Sequence, residues 1–99
     1  MKEQPQCEVD EYGNIEWFLY RERHREDGPA IEYADGDKEW YLNDGLHRED
    51  GPAVEYADGD KEWFLNGKEV HPEVLVDIQL SRGIFCYYDE QSNELRFEE

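Results

Sequence analysis

The chain contains no threonine, and its two cysteines, Cys7 and Cys86, lie near opposite ends. No Cys-x-x-Cys pair and no Cys/His cluster occurs, which excludes the usual ligand spacing of a structural zinc site. One disulfide is compatible with two cysteines but not implied by them. Long apolar runs are also missing: none approaches the ~20 residues of a membrane span. Residues Met1 to Gln6 carry no apolar stretch, so no signal peptide is expected there and a cytoplasmic protein is the default. Basic residues are scarce, 10 against 27 acidic ones, for a formal net charge of −17. Such a charge excludes nonspecific binding to nucleic acid, whose phosphates it repels. An anionic membrane surface is disfavoured for the same reason. Basic proteins and cations are the partners it favours. With 37% hydrophobic residues and a mean hydropathy of −1.08, the composition by itself resembles that of disordered chains.

What is present points the other way. The 3 Trp, 7 Tyr and 4 Phe residues recur at fixed intervals, as in a thin fold where each layer buries one face. The length suits one domain. Internal repetition dominates it. Residues 24–42, HREDGPAIEYADGDKEWYL, return 23 positions later as HREDGPAVEYADGDKEWFL, with 17 of 19 positions identical. A degenerate copy precedes them, with Tyr12-Gly13-Asn14 beneath Asp35-Gly36-Asp37. Trp17, Trp40 and Trp63 are one period apart, as are Leu19, Leu42 and Leu65; these six form the expected core. The period slips by one residue after Asn66-Gly67, which marks the end of the array. Residues 1–6 read as a tail, 7–23, 24–46 and 47–71 as three units, and 72–99 as a non-repeating cap.

Each unit reads as an antiparallel β-hairpin. Asp35-Gly36 is a strong two-residue turn signal. That turn would set Tyr33 opposite Lys38, Glu32 opposite Glu39, Ile31 opposite Trp40 and Ala30 opposite Tyr41. One face then carries Ile31, Tyr33, Trp40 and Leu42; the other carries Ala30, Glu32, Ala34, Asp37, Glu39 and Tyr41. A three-residue loop would send Ile31 and Trp40 to opposite faces. A lone hairpin is marginal in water. Stacking three would align the tryptophans as one aromatic ridge, giving an all-β, solenoid-like or single-layer fold.

The run Lys-Glu-Trp-(Tyr/Phe)-Leu-Asn, followed by Gly, His and Gly-Pro-Ala at a 23-residue period, resembles MORN-type repeats over residues 8–71, in a variant seen in small bacterial and phage proteins. Arg25 and Arg48 depart from it, because they follow His where many such repeats have Gly. The resemblance implies a hairpin array serving as a scaffold or interaction surface.

In the cap, Val74, Val76, Ile78 and Leu80 alternate with other residues like a strand, although Pro72-Glu73 could start a short helix. Ile84–Tyr88 and Glu94–Glu98 read as further strands. The expectation is a β-cap over the open end of the array, and its edge could instead pair two copies into a homodimer.

The candidate binding residues are acidic. Glu32 facing Glu39, and Glu55 facing Glu62, would set like charges on neighbouring strands, each pair destabilising by about 0.2–1 kcal/mol. Such rows, recurring ~5 Å apart, could imitate a nucleic-acid backbone. With them go the turn residues Glu26, Asp27, Asp35, Asp37, Glu49, Asp50, Asp58 and Asp60. Asp35-Gly36-Asp37 lacks the spacing of a calcium loop, and no metal or other cofactor is expected. His24 and His47 lie near carboxylates but have no nucleophile beside them. They read as a turn-capping network, and no enzyme is expected. The reading is an acidic module that binds a basic protein, such as an inhibitor of a nucleic-acid-handling enzyme in phage or mobile-element counter-defence. The alternative is a scaffold or antitoxin-like protein that binds through its hydrophobic edge or cap.

Overall fold

The computed structural model describes residues 4–98; residues 1–3 of the expected tail and residue 99 lie outside the description. The elements are β1 (Gln6–Val9), β2 (Ile15–Leu19), β3 (Glu22–Arg23), β4 (Ile31–Glu32), β5 (Lys38–Glu39), β6 (Tyr41–Leu42), β7 (Gly45–Leu46), β8 (Val54–Glu55), β9 (Lys61–Glu62), β10 (Phe64–Leu65), β11 (Lys68–Glu69), α1 (Pro72–Ser81), β12 (Cys86–Asp89) and β13 (Glu94–Phe97). The main sheet is open, with order β1-β2-β4-β5-β8-β9, and β3 pairs with β2. Three two-stranded ladders, β6-β7, β10-β11 and β12-β13, complete the architecture. All pairings are antiparallel. Each 23-residue stretch contributes two strands to the main sheet, so equivalent residues recur about 10 Å apart, twice the ~5 Å spacing expected from one hairpin per layer.

The Asp35-Gly36 turn differs from expectation. Tyr33 N–H donates to Asp37 O and Gly36 N–H to Tyr33 O, both at 2.9 Å. That is a three-residue loop closed by a left-handed glycine, Gly36 at φ +104°. A two-residue type I′ turn needs positive φ at both central residues, and Asp35 does not have it. Tight two-residue turns form instead in the second hairpins, at Tyr20-Arg21, Asn43-Asp44 and Asn66-Gly67, where all six residues have positive φ.

The register shifts accordingly. Ile31 pairs with Glu39 and Glu32 with Lys38, and Val54 pairs with Glu62 and Glu55 with Lys61. The expected Glu32–Glu39, Glu55–Glu62 and Ile31–Trp40 pairs do not form. Because Lys38 also pairs with Glu55, one face carries the alternating row Glu32-Lys38-Glu55-Lys61. Opposite charges in direct cross-strand pairs are favourable. The other face carries Glu16, Ile31, Glu39, Val54 and Glu62, with a buried aliphatic residue between successive carboxylates.

The buried apolar residues include Ala30, Ile31, Ala53, Val54, Trp63, Leu75 and Cys86. Of the six expected core residues, Trp63 is buried, while Trp17, Trp40, Leu19, Leu42 and Leu65 are half-buried. Ala30, assigned to the polar face from sequence, is fully enclosed. Arginines, not neighbouring tryptophans, cover two of the rings: the Arg25 guanidinium lies 4.3 Å from the Trp17 ring and that of Arg48 lies 3.9 Å from the Trp40 ring. Cation–π stacking of this kind contributes about 0.5–1 kcal/mol at partly exposed sites. Trp63 meets Tyr88 edge-on instead.

Tryptophan and histidine join consecutive stretches of the chain. The backbone N–H groups of Trp17 and Trp40 donate to Ala30 O and Ala53 O at 2.8 Å. The Nδ1 atoms of His24 and His47 accept from Asn43 N–H and Asn66 N–H at 3.0 and 2.9 Å. After the one-residue slip, the backbone N–H of Val70 takes the bond to Trp63 O that the backbone N–H groups of His24 and His47 make to Trp17 O and Trp40 O. His71 is thereby displaced by one position and accepts from Glu73 N–H as the N-cap of α1.

Helix α1 decides between the strand and the Pro72-initiated helix that the sequence left open at 73–81. His71 caps it, Pro72 occupies its first turn without needing a donor, and Pro72, Leu75 and Gln79 form its buried stripe. The alternating Val74 and Leu80 are 40% and 46% exposed, so the period-two pattern is not the buried one. The expected β-cap is therefore a helix followed by the β12-β13 hairpin. Cys7 and Cys86 are both free thiols, Cys7 exposed and Cys86 buried. No helix among the described residues is long and apolar enough to cross a membrane.

Candidate functional site: the acidic tips and corners

The twelve acidic candidates occupy four places: the loop tips, the two faces of the sheet and the corners between hairpins. Asp35, Asp37, Asp58 and Asp60 sit at the tips of the three-residue loops. Asp35 and Asp58 each accept from the N–H two residues on, at 3.0 Å. Asp37 Oδ1 accepts from Ala57 N–H at 2.7 Å, clamping one tip onto the next. Asn14 Oδ1 does the same for Ala34 N–H at 2.8 Å. A Cβ at Gly36 would lie 3.2 Å from Ala57 Cβ, whereas one at Gly59 would meet nothing within 4 Å. The tips therefore stack, and the Asp58-Gly59-Asp60 tip ends the stack.

Glu39 and Glu62 lie on the face shared with Ile31 and Val54. Glu39 accepts from Tyr33 and Tyr41 hydroxyls at 3.2 Å, and Glu62 from Tyr56. Burial, then the Glu39 charge, pushes the Tyr33 phenol up to about 12. Hydrogen bonding to Glu62 does the same for Tyr56, up to about 12. Glu32 and Glu55 lie on the opposite face, 3.9 Å from Arg25 and 3.4 Å from Arg48. The candidates thus form no single carboxylate face.

Glu26, Asp27, Glu49 and Asp50 form two corners. In each, the arginine binds the aspartate two residues on at 3.0 Å (Arg25–Asp27, Arg48–Asp50) and donates to a proline carbonyl, Pro29 O at 3.2 Å or Pro52 O at 3.1 Å. This fixes the bend between hairpins. The second corner holds α1: Gln79 Nε2 donates to Glu49 O at 2.9 Å and Arg82 binds the Glu49 carboxylate. His47 Nε2 meets the same carboxylate at 3.0 Å. Arg82, then His47, holds the Glu49 pKa below its ordinary value. Between the corners runs a groove of about 610 Å³ whose walls include Glu26, Trp40, His47, Glu49 and Arg82.

Sequence reasoning missed Gln79, Arg82 and Tyr88, which lie outside the repeat and carry no periodic signal. It also missed the clamp made by Asn14, although alignment with Asp37 would have pointed to it. Comparison with protein-family models, curated proteins and solved structures finds no match, so function is argued from these residues alone.

Proposed function

We propose that the chain is a non-enzymatic binding protein, built as a MORN-like hairpin array, whose acidic tips and corners engage a basic protein surface. The observation that carries this is at the tips: Asn14 performs without charge the clamp that Asp37 performs with it. The fold does not need the charge at that position, and Asp60 repeats it where no further tip stacks. Residues 24–46 carry seven acidic and two basic side chains, a net −5, over an advance of about 10 Å. That is about one charge per 2 Å, close to the ~1.7 Å spacing along duplex DNA. A protein that grips nucleic-acid phosphates is the partner class such a surface suits, and inhibition by competition is the action it would exert. Neutralising Asp35, Asp37, Asp58 and Asp60 to Asn keeps every acceptor and removes four charges. The test captures partners from a cell lysate at 0.1 and 0.5 M salt. Recovery of a nucleic-acid-binding complex that is lost at high salt, competed by duplex DNA and weakened by the four substitutions supports the reading. Undiminished binding by the substituted protein refutes it.

A second reading has its own observation. Phe85, Tyr87 and Phe97 are 68%, 49% and 44% exposed on the C-terminal hairpin, as a scaffold or self-pairing edge would require. Salt-resistant capture that is lost on substituting Phe85 and Tyr87 would favour it.

A further inference from the structure

The two corners are nearly identical in sequence but not in occupancy. At the second, Glu49 is held by Arg82 and its carbonyl by Gln79, both from the end of α1. At the first corner, 23 residues earlier, Gln4 and Pro5 line the groove, but among the described residues no arginine or amide side chain bonds to Glu26 as Arg82 and Gln79 do to Glu49. The Glu26 side chain is 74% exposed against 36% for Glu49. His24 shows the same vacancy. It is only 8% exposed, and its Nδ1 is engaged by Asn43 N–H at 3.0 Å, which leaves the proton of the neutral ring on Nε2. That Nε2 is 3.8 Å from Glu26, beyond hydrogen-bond range, whereas His47 Nε2 is 3.0 Å from Glu49. The His24 ring thus holds Nε2 short of hydrogen-bond contact with an exposed carboxylate, on the wall of a groove of about 370 Å³ lined by Leu19, Tyr20, His24, Glu26 and Asp27 and bordered by the chain's own Gln4 and Pro5.

We propose that the His24–Glu26 corner is a docking site for an arginine at the end of a helix on a basic partner protein, in the manner that Glu49 holds the chain's own Arg82 and Gln79. The partner's guanidinium binds the Glu26 carboxylate and draws it onto His24 Nε2–H. An amide side chain three residues before that arginine reaches the Glu26 carbonyl. Arginine suits the site better than lysine because a planar fork engages a carboxylate through two parallel hydrogen bonds. This inference rests on the basic-partner reading but names a different contact from the tips.

The test uses the full chain and an alanine-based helical peptide carrying Gln-x-x-Arg in its last turn. Binding is followed at 0.15 M salt through the ring ¹⁵N signals of His24 and His47. The expected result is a saturable shift at His24 and none at His47, a roughly tenfold weaker affinity for Glu26→Gln as a charge-assisted bond is lost, and weaker binding of the Arg→Lys peptide. The variant with Asp35, Asp37, Asp58 and Asp60 changed to Asn should retain the His24 shift, which separates this site from the tips. No His24 shift at millimolar peptide, or equal affinity for Glu26→Gln, overturns the proposal.

Discussion

Gly36 and Gly59 occupy the same position in successive tips, with φ of +104° and +99°, yet only one has a neighbour. Replacing either with alanine forces an L-residue into left-handed backbone, at about 1–2 kcal/mol. At Gly59 that is the whole cost, because a Cβ there has nothing within 4 Å. At Gly36 the new methyl lies 3.2 Å from Ala57 Cβ and 3.9 Å from its Cα. That contact is tighter than ordinary packing, and its neighbour is backbone-anchored and itself clamped by Asp37. Overpacking of this kind adds about 1–3 kcal/mol. Gly36→Ala should therefore destabilise more than Gly59→Ala by at least about 1 kcal/mol. Urea unfolding of both variants at one fixed salt concentration, followed by tryptophan fluorescence and far-UV circular dichroism, measures the difference as a shift in midpoint. Equal midpoints would refute the stacking of tips and, with it, the regular spacing of carboxylates along them.

Tyr20 and Arg21 hold φ of +52° and +68° in a two-residue turn where the later copies use Asn43-Asp44 and Asn66-Gly67. Tyr20→Asn with Arg21→Gly should raise stability by about 1–2 kcal/mol, because both replacements tolerate that backbone; thermal unfolding checks it. Glu49 has a lowered pKa, caused first by Arg82 and then by His47. A depressed carboxylate contributes stability that is present above its ordinary value of 4.5 and is lost as pH falls through its folded value. Glu49→Gln should therefore flatten the acid limb of the stability profile below pH 4.5, and an unchanged limb in acid titrations would contradict the Arg82 contact.

The hairpin character of residues 7–71 was legible because it rests on short-range chemistry: alternating side chains, Asp-Gly and Asn-Gly turns, and Pro29 and Pro52 where a donor is dispensable. The 23-residue period showed which residues would occupy equivalent places, and the His-Arg-Glu-Asp runs do cap turns. Register was not legible. Asp-Gly is compatible with both two- and three-residue loops, and the choice between them turns on the φ of one residue. That choice moved Glu32 from Glu39 to Lys38 and divided the expected acidic face between the two sides of the sheet.

By itself the sequence determined the period, the antiparallel hairpins and the excess of acid, since each depends on residues close in the chain or on simple composition. The tertiary structure decided which carboxylates are engaged and which are open. The Glu49 corner is filled because a one-residue slip displaces His71 into the cap of α1, whose far end carries Gln79 and Arg82 to it. At the Glu26 corner, identical over His-Arg-Glu-Asp-Gly-Pro-Ala, Gln4 and Pro5 line the groove instead, and no described arginine binds the Glu26 carboxylate. Occupancy is a property of which distant segments meet, and two copies of one motif differ in it without differing in their own residues.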